Sequence, residues 1–398
     1  MHEWKVSCYN AGSTSIKVRH FIIKTNDTNN NKHVLQSDRL CCIDERKARV
    51  LAFNRHRDVL ESTRKKIQPP TGFPLCGSCG WLCSDATFDI FEIDDITGSI
   101  EPDVVLYRTV HLGNVNHQKV IYASDQIFDE VSHWAVQHNV KTRSLYKTMF
   151  YAFPMARHLL ISDSAFHATM PLYVKTLPVP LAMREAGACK WGFHGLVYSN
   201  IVRQFTSENG IEKPNLICIH LGGGSSAACI SKGKSIDTTM SMTPTDGLLM
   251  TTRSGSLDPC IPLYFSGLTI DTLNNECGIK ALCGTYDFSE LLRLCEEGDV
   301  QARIAYDSFI YRIVSTIGSY VMILDGNVDA VVFSGGIGYN VDKVREDVTA
   351  QCKSLLSKVH SRMSGGVHVC KIFVNEELEM IHTYIQSYVN TEHDDGKV

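Results

Sequence analysis

The clearest periodicity lies late in the chain. Ala305, Phe309, Ile313, Ile317 and Val321 recur at four-residue steps, which places them on one face of a helix. Asp325-Gly326 marks its end. Asp329-Ala-Val-Val-Phe333 predicts a buried strand, followed by the Gly-rich segment Ser334–Asn340 and by a polar helix beginning near Val341. Val369–Val374 predicts a further strand, and Glu376–Val389 a final amphipathic helix.

The N-terminal pattern is different. Lys5–Tyr9 and Ile16–Ile23 are β-rich runs flanking the polar turn Asn10–Ser15, which predicts a hairpin. Asn215–His220 and Ala227–Ser231 flank Leu221–Ser226 in the same way. This repeated unit of strand, Gly/Ser/Thr turn and strand points to two related halves. Between them, Asn26–Lys32 predicts a loop and Asp58–Ile67 a helix that Pro69-Pro70 terminates. Val104–Leu106 and Leu159–Ile161 predict strands, and Ser124–His138 and Tyr146–His158 predict helices. Helices alternating with strands imply an α/β architecture with largely parallel sheets.

The chain has 398 residues, enough for two or three domains. Its 39 Lys and Arg against 43 Asp and Glu give −4, which argues against nucleic acid or an anionic membrane as main partner. No uncharged apolar run reaches the about 18 residues of a membrane helix. Glu3 and Lys5 beside Trp4 do not form a secretory h-region, so a cytoplasmic protein is expected. Fifteen cysteines are an odd count, which disfavours a fully paired secreted framework. Cys8, Cys218, Cys229 and Cys295 sit in apolar runs and are expected to act as small hydrophobes. Cys76, Cys79 and Cys83, with Cys41 and Cys42 upstream, include one C-x-x-C, but no second ligand pair follows at zinc-site spacing.

Three bare turns follow strands: Asn10–Ser15, Leu221–Ser226 and Ser334–Asn340. Turns without bulky Cβ groups let backbone N–H groups approach an anion. Three in one chain, with Lys17 after the first, point to a phosphate ligand. None fits G-x-x-x-x-G-K-[ST], and Gly335-Gly-Ile-Gly338 does not fit G-x-G-x-x-G. Arg108, His138, Asp163, His194, Arg253 and Glu376 are the polar candidates at predicted element ends. Phosphoryl transfer needs such groups, because cations and a metal must surround the equatorial oxygens.

At these residues the chain resembles the acetate kinases. Asn10-Ala-Gly-Ser-Thr-Ser-Ile-Lys17 is similar to their opening N-x-G-S-S-S-x-K. In order follow Arg108-Thr-Val-His111, His138-Asn139, Asp163–Pro171, Gly192-Phe-His-Gly195, His220–Ser226, Asp237–Met240, Thr243–Gly247, Thr252–Pro259, Gly335–Gly338 and Asn375–Leu378. The similarity spans nearly the whole chain and is weak only over residues 24–100.

The resemblance implies a duplicated actin-like (ribonuclease H-like) α/β fold with two domains around a cleft. They are expected at 1–163, with helix 378–393 packing back on it, and at 164–377. It implies reversible transfer of the γ-phosphoryl of ATP to acetate, giving acetyl phosphate and ADP, with Mg²⁺ or alternatively Mn²⁺. By resemblance, Asn10 and Glu376 hold the metal, and Asp163, His194, Arg253, Arg108 and His138 are catalytic. Ser13, Ser15, Lys17 and His220, Leu221, Gly222, Gly223 and Gly224 contact the nucleotide phosphates. Asp287, Phe288, Ser289 and Gly336, Ile337, Gly338, Tyr339 and Asn340 lie by the nucleoside. Arg108, Val110, Phe193 and Pro244 hold acetate, and a homodimer is expected.

Several positions depart from the family pattern. Gly223 replaces an Asn, Leu196-Val-Tyr198 replaces Thr-Ser-His, Tyr339 replaces a Glu, Ser289 replaces an Arg, and Gln137 replaces a Leu of the methyl pocket. Most lie on the nucleotide side. They keep two alternatives open: a pyrophosphate- or phosphate-linked or longer-acid kinase, and a nucleotide-binding module without catalysis.

Overall fold

The computed structural model describes residues 3–11, 15–24, 34–44, 102–113, 118–131, 134, 136–265 and 267–389. The helix expected at Asp58–Ile67, the loop at Asn26–Lys32 and Cys76, Cys79 and Cys83 lie outside them. The chain divides into two units: Met1–Thr109 with Val120–Ile161 and Met380–Val398, and Val110–Lys119 with Ser162–Glu379.

The first unit is built on a six-stranded sheet of order β3-β2-β1-β4-β6-β5. Its strands are β1 Glu3–Ala11, β2 Ser15–Lys24, β3 Val34–Asp44, β4 Val104–Thr109, β5 Val120–Tyr122 and β6 Arg157–Ser162. β1, β2 and β3 form an antiparallel meander, and β4 joins β1 in parallel. Val104, Val105, Leu106 and Tyr107 are all buried, as a central strand covered on both faces requires. The single helix expected at Ser124–His138 is instead Asp125–Val131, after which Trp134 N–H turns back to Val131 O. A second helix, Val136–Ala152, follows. It stops before Phe153-Pro154, because proline disfavours helical backbone at the residue before it. His158, expected in a helix, therefore lies in β6, where Nδ1 meets the buried Tyr107 hydroxyl at 2.7 Å.

The second unit has a five-stranded sheet of order β11-β10-β7-β8-β9. These are β7 Leu216–Leu221, β8 Ser225–Ser231, β9 Lys234–Thr238, β10 Ala330–Ser334 and β11 His368–Lys371. Its order matches β6-β4-β1-β2-β3 of the first sheet, so the repeat seen in the two hairpins extends to the whole topology. Both sheets are mixed rather than largely parallel. An antiparallel meander precedes the parallel strands in each, because short polar turns join only antiparallel neighbours.

Alternation along β7 assigns its two faces. Ile217, Ile219 and Leu221 pack with Ala305, Phe309, Ile313, Ile317 and Val321 of the helix Val300–Ile323. Leu216 and Cys218 pack with Val197, Tyr198, Ile201 and Phe205 of the helix Gly195–Asn209. The long helix ends at Leu324, where Asp325 and Gly326 both have positive φ. Cys8, Cys218 and Cys229 are buried, whereas Cys295 is half-buried on the helix Phe288–Glu296. No helix among the described residues is long and apolar enough to cross a membrane.

Candidate active site

In the second unit, the segment from Ser162 onward and the C-terminal ends of β7 and β10 bring the polar candidates together. Asp163 directly follows β6 and is fully buried. Its Oδ2 accepts the backbone N–H of His194 at 3.1 Å, its Oδ1 that of Leu196 at 3.4 Å, and its carbonyl that of Gly195 at 2.7 Å. These are the otherwise unsatisfied donors at the start of the helix Gly195–Asn209, so the carboxylate both caps that helix and sits where its dipole favours an anion. His194 occupies the cap with φ +57°. Gly195 is required beside it, since a Cβ there would lie 2.4 Å from the Asp163 carbonyl oxygen.

Capping thus aims the His194 ring. Its Nδ1 meets Ser226 Oγ at 2.9 Å, and its ring centroid lies 4.7 Å from that of His220. His220 Nδ1 in turn meets Ser334 Oγ at 3.1 Å. A Cβ built on Gly224 would lie 3.2 Å from Arg253 Nη1 and 3.6 Å from His194 Nε2. Arg253 and His194 therefore converge over the Gly222–Gly224 turn. Arg253 Nη1 also donates to Pro244 O at 3.2 Å, and Thr251 Oγ1 to Gly223 O at 3.2 Å. The Gly222 N–H bonds to Gly224 O at 3.2 Å. Of the three turn amides expected to meet phosphate, that one is already committed.

The same helix is fastened by Glu379. This buried carboxylate takes Ser199 Oγ at 2.6 Å, Asn200 Nδ2 at 3.2 Å and Arg203 Nε at 3.0 Å. Glu379 and the half-buried Glu376 share the helix Glu376–Tyr384, so the contact also positions Glu376 within this unit.

A turn that presents two histidines and an arginine beside backbone amides suits the equatorial oxygens of a transferring phosphoryl group. Comparison with known proteins gives this chemistry a family. Residues 86–389 match the Acetokinase family. The acetate kinase of Sulfurovum sp. strain NBC37-1 is 31% identical over 95% of this chain and 97% of its own length. The acetate kinase of Campylobacter jejuni serotype O:6 is 34% identical over 86% of each.

The chain belongs to the acetokinase family.

Solved structures agree on the fold. A propionate kinase from Francisella tularensis superposes with TM-score 0.71 at 25% identity, covering 96% of this chain and 98% of its own. The acetate kinase of Entamoeba histolytica gives 0.71 at 22%, covering 97% and 100%. The two-domain actin-like α/β fold expected from the resemblance is the fold of this acetokinase family chain.

The other expected site residues fall into three groups. In the first unit, Asn10 is buried at the end of β1 and its Oδ1 accepts Arg108 Nη1 at 3.1 Å. Exposed Lys17 lies opposite Asn10 in the β1–β2 register. His138 is half-buried in the first turn of the helix Val136–Ala152, and its carbonyl accepts Thr142 Oγ1 at 3.3 Å. Ser13 and the side chain of Ser15 lie outside the described residues.

In the second unit, Val110, Phe193 and Pro244 are buried apolar groups, and the last two adjoin His194 and Arg253 through the chain and through the Pro244 carbonyl. The nucleoside set is mixed. Asp287 caps the helix Phe288–Glu296 by accepting Ser289 N–H at 2.8 Å, and Phe288 packs in the core 5.2 Å from Phe309. Gly335–Asn340 is a short helix rather than an open turn. Gly335 has φ +79° and its Cβ would lie 2.4 Å from Leu221 O, so this glycine makes the reversal from β10 possible. Tyr339 is held edge-on by Phe373 at 5.7 Å, with Lys371 Nζ 5.0 Å from its ring centroid.

Tyr198, a departure from the family pattern, and Ser226, the end of a bare turn, receive no role from the sequence. Both are fully buried, and the Tyr198 hydroxyl meets Ser226 Oγ at 2.5 Å. The signal was present in the replacement of a family His by Tyr198.

Proposed function

We propose that the chain catalyses reversible transfer of the γ-phosphoryl group of ATP to acetate, giving acetyl phosphate and ADP by direct in-line displacement. The observation that carries this reading is the convergence of His194 and Arg253 over the Gly222–Gly224 turn. A carboxylate is already an adequate nucleophile, so the protein need only align it and stabilise charge on the phosphoryl oxygens. Arg253 and the Nε2 edge of His194 take that second role. Asp163 holds His194 in place through the helix cap, and His220, Leu221, Gly223 and Gly224 line the phosphate side.

Arg108, steadied by Asn10, binds the acetate carboxylate, and His138 assists. Val110, Phe193 and Pro244 enclose the methyl group. Lys17, with Ser13 and Ser15, contacts the donor phosphates. The segment Gly336–Asn340 lies by the nucleoside. Asn10 and Glu376 offer hard oxygen donors, a set that fits Mg²⁺, which is usually held by one or two protein groups and completed by water and substrate phosphates. An ion held by Asn10 and Glu376 would supply positive charge to offset that of the donor phosphates.

A homodimer formed through the second unit belongs to this reading. The consecutive Leu263, Tyr264 and Phe265 are 83%, 81% and 67% exposed, which supports a covered apolar surface there. An ATP-using enzyme of this kind fits a cytoplasmic setting.

The test is hydroxamate formation from acetate, ATP and Mg²⁺, compared with the reverse reaction from acetyl phosphate and ADP. A second reading, transfer linked to pyrophosphate or a longer acid, draws on the core and capping positions of Phe288 and Asp287. Pyrophosphate as the sole effective donor would favour it.

A further inference from the structure

Three groups in the second unit form a buried line: Tyr198 OH to Ser226 Oγ at 2.5 Å, and Ser226 Oγ to His194 Nδ1 at 2.9 Å. Tyr198 and Ser226 have no exposed surface. Neither hydroxyl has another hydrogen-bond partner among the described residues.

Donor counting then selects one arrangement. Each hydroxyl has one hydrogen, and a neutral imidazole has one N–H and one acceptor nitrogen. If Tyr198 donates to Ser226 and Ser226 donates to His194 Nδ1, every buried hydrogen has an acceptor, and the ring proton resides on Nε2. If Nδ1 carries the proton, Ser226 must accept it. One of the two hydroxyl hydrogens is then buried without an acceptor, whichever way Ser226 turns. The same orphan arises when the ring is doubly protonated. A buried unsatisfied donor is costly, so both alternatives are disfavoured.

We propose that Ser226, backed by Tyr198, is a positioning residue that locks His194 as the neutral Nε2–H tautomer. The Nε2 edge is the one that lies beside Gly224 and Arg253. His194 thus presents a hydrogen-bond donor, without a full charge, next to the arginine cation. The catalytic consequence rests on the reading of His194 as a phosphoryl contact; the tautomer itself does not. A tyrosine is a simple anchor here, because its oxygen has a single hydrogen to place.

The experiment combines ¹⁵N NMR of histidine ring nitrogens with stability and kinetics of three variants. The His194 signals are identified by their loss in His194→Gln. The native protein is expected to show an unprotonated Nδ1 and a protonated Nε2; a native Nδ1–H tautomer overturns the proposal. Ser226→Ala orphans the Tyr198 hydroxyl, so it should both lower the urea midpoint and release the tautomer. Ser226→Ala combined with Tyr198→Phe removes both hydroxyls and leaves no orphan. It should regain most of the midpoint, yet keep the mixed tautomer and a kcat about ten- to a hundredfold below native, the scale expected from a misdirected group. Recovery of native kcat together with stability would show that the pair only supports the fold, and would overturn the proposal. A locked Nε2–H tautomer in a protein that transfers no phosphoryl group would sustain the inference about the ring and refute the proposed function instead.

Discussion

Asp163 controls His194 through the backbone: its Oδ2 accepts the His194 N–H at 3.1 Å, at a residue held in a left-handed conformation with φ +57°. An unusual backbone geometry for a non-glycine residue persists only when its surroundings impose it. Asp163→Ala removes that constraint and should lower kcat by roughly two to four orders of magnitude, the range for losing a transition-state contact. Asp163→Asn retains one acceptor oxygen and should keep more of the thermal stability than Ala while still losing most activity. Native turnover in the Asn variant would show that the charge has no role.

Two glycines of the site should separate stability from catalysis. Gly335→Ala would set a Cβ 2.4 Å from Leu221 O at φ +79°, so it should destabilise the protein by about 1–3 kcal/mol or more. At Gly224 the nearest neighbours of the new Cβ would be side-chain atoms, Arg253 Nη1 at 3.2 Å and the His194 ring at 3.6 Å. Gly224→Ala should melt near the native temperature but turn over slowly. Melting curves and kcat measured on both variants check the contrast.

His167 predicts a pH dependence of stability. It is fully buried between Ser235 Oγ at 2.8 Å and Phe193 O at 2.9 Å. Burial pushes its pKa down from 6.5 to about 4; the Phe193 carbonyl opposes this, and Lys190 and Lys175 add to it. Between those values the unfolded chain holds a proton that the folded one lacks. The contribution is therefore complete above pH 6.5 and is lost as pH falls towards 4. Its slope is about 1.4 kcal/mol per pH unit. Urea midpoints from pH 7 to 4.5 should fall accordingly, and His167→Gln should flatten that part of the curve.

Much of this was legible beforehand, and the failures have physical causes. The five-position stripe from Ala305 to Val321 is buried along its whole length, because one helix face must meet the sheet. Both hairpins follow from alternation around a polar turn. Gly335–Asn340 misled because its composition reads as a turn, while one left-handed glycine lets the helix start at once. The helix expected to reach His158 ignored Pro154. Motifs singled out Asp163, His194 and Arg253; packing sets Asp163 against His194, and His194 and Arg253 against Gly224. Ser226 and Tyr198 were not joined, since 28 residues separate them and only packing of the helix on the sheet brings them together.

Base recognition should be weak relative to phosphate recognition. Ser289 contributes its backbone N–H to the Asp287 cap, and Tyr339 is already engaged by Phe373 and Lys371. With little base-contact energy left, ATP, GTP and ITP should differ by less than about tenfold in kcat/KM. Parallel assays of the three nucleotides and pyrophosphate at fixed Mg²⁺ decide this. A much larger preference for ATP would demonstrate a complete adenine pocket.

The central claim is that the groups gathered over the Gly222–Gly224 turn stabilise a transferring phosphoryl group. Its most direct measurement is the kcat for acetyl phosphate formation in Arg253→Ala, with folding verified by the melting temperature. The guanidinium lies at the turn and its loss leaves the Asp163–His194 cap in place. The account predicts a folded protein whose kcat falls by roughly two to four orders of magnitude. A folded variant that turns over at close to the native rate would contradict it.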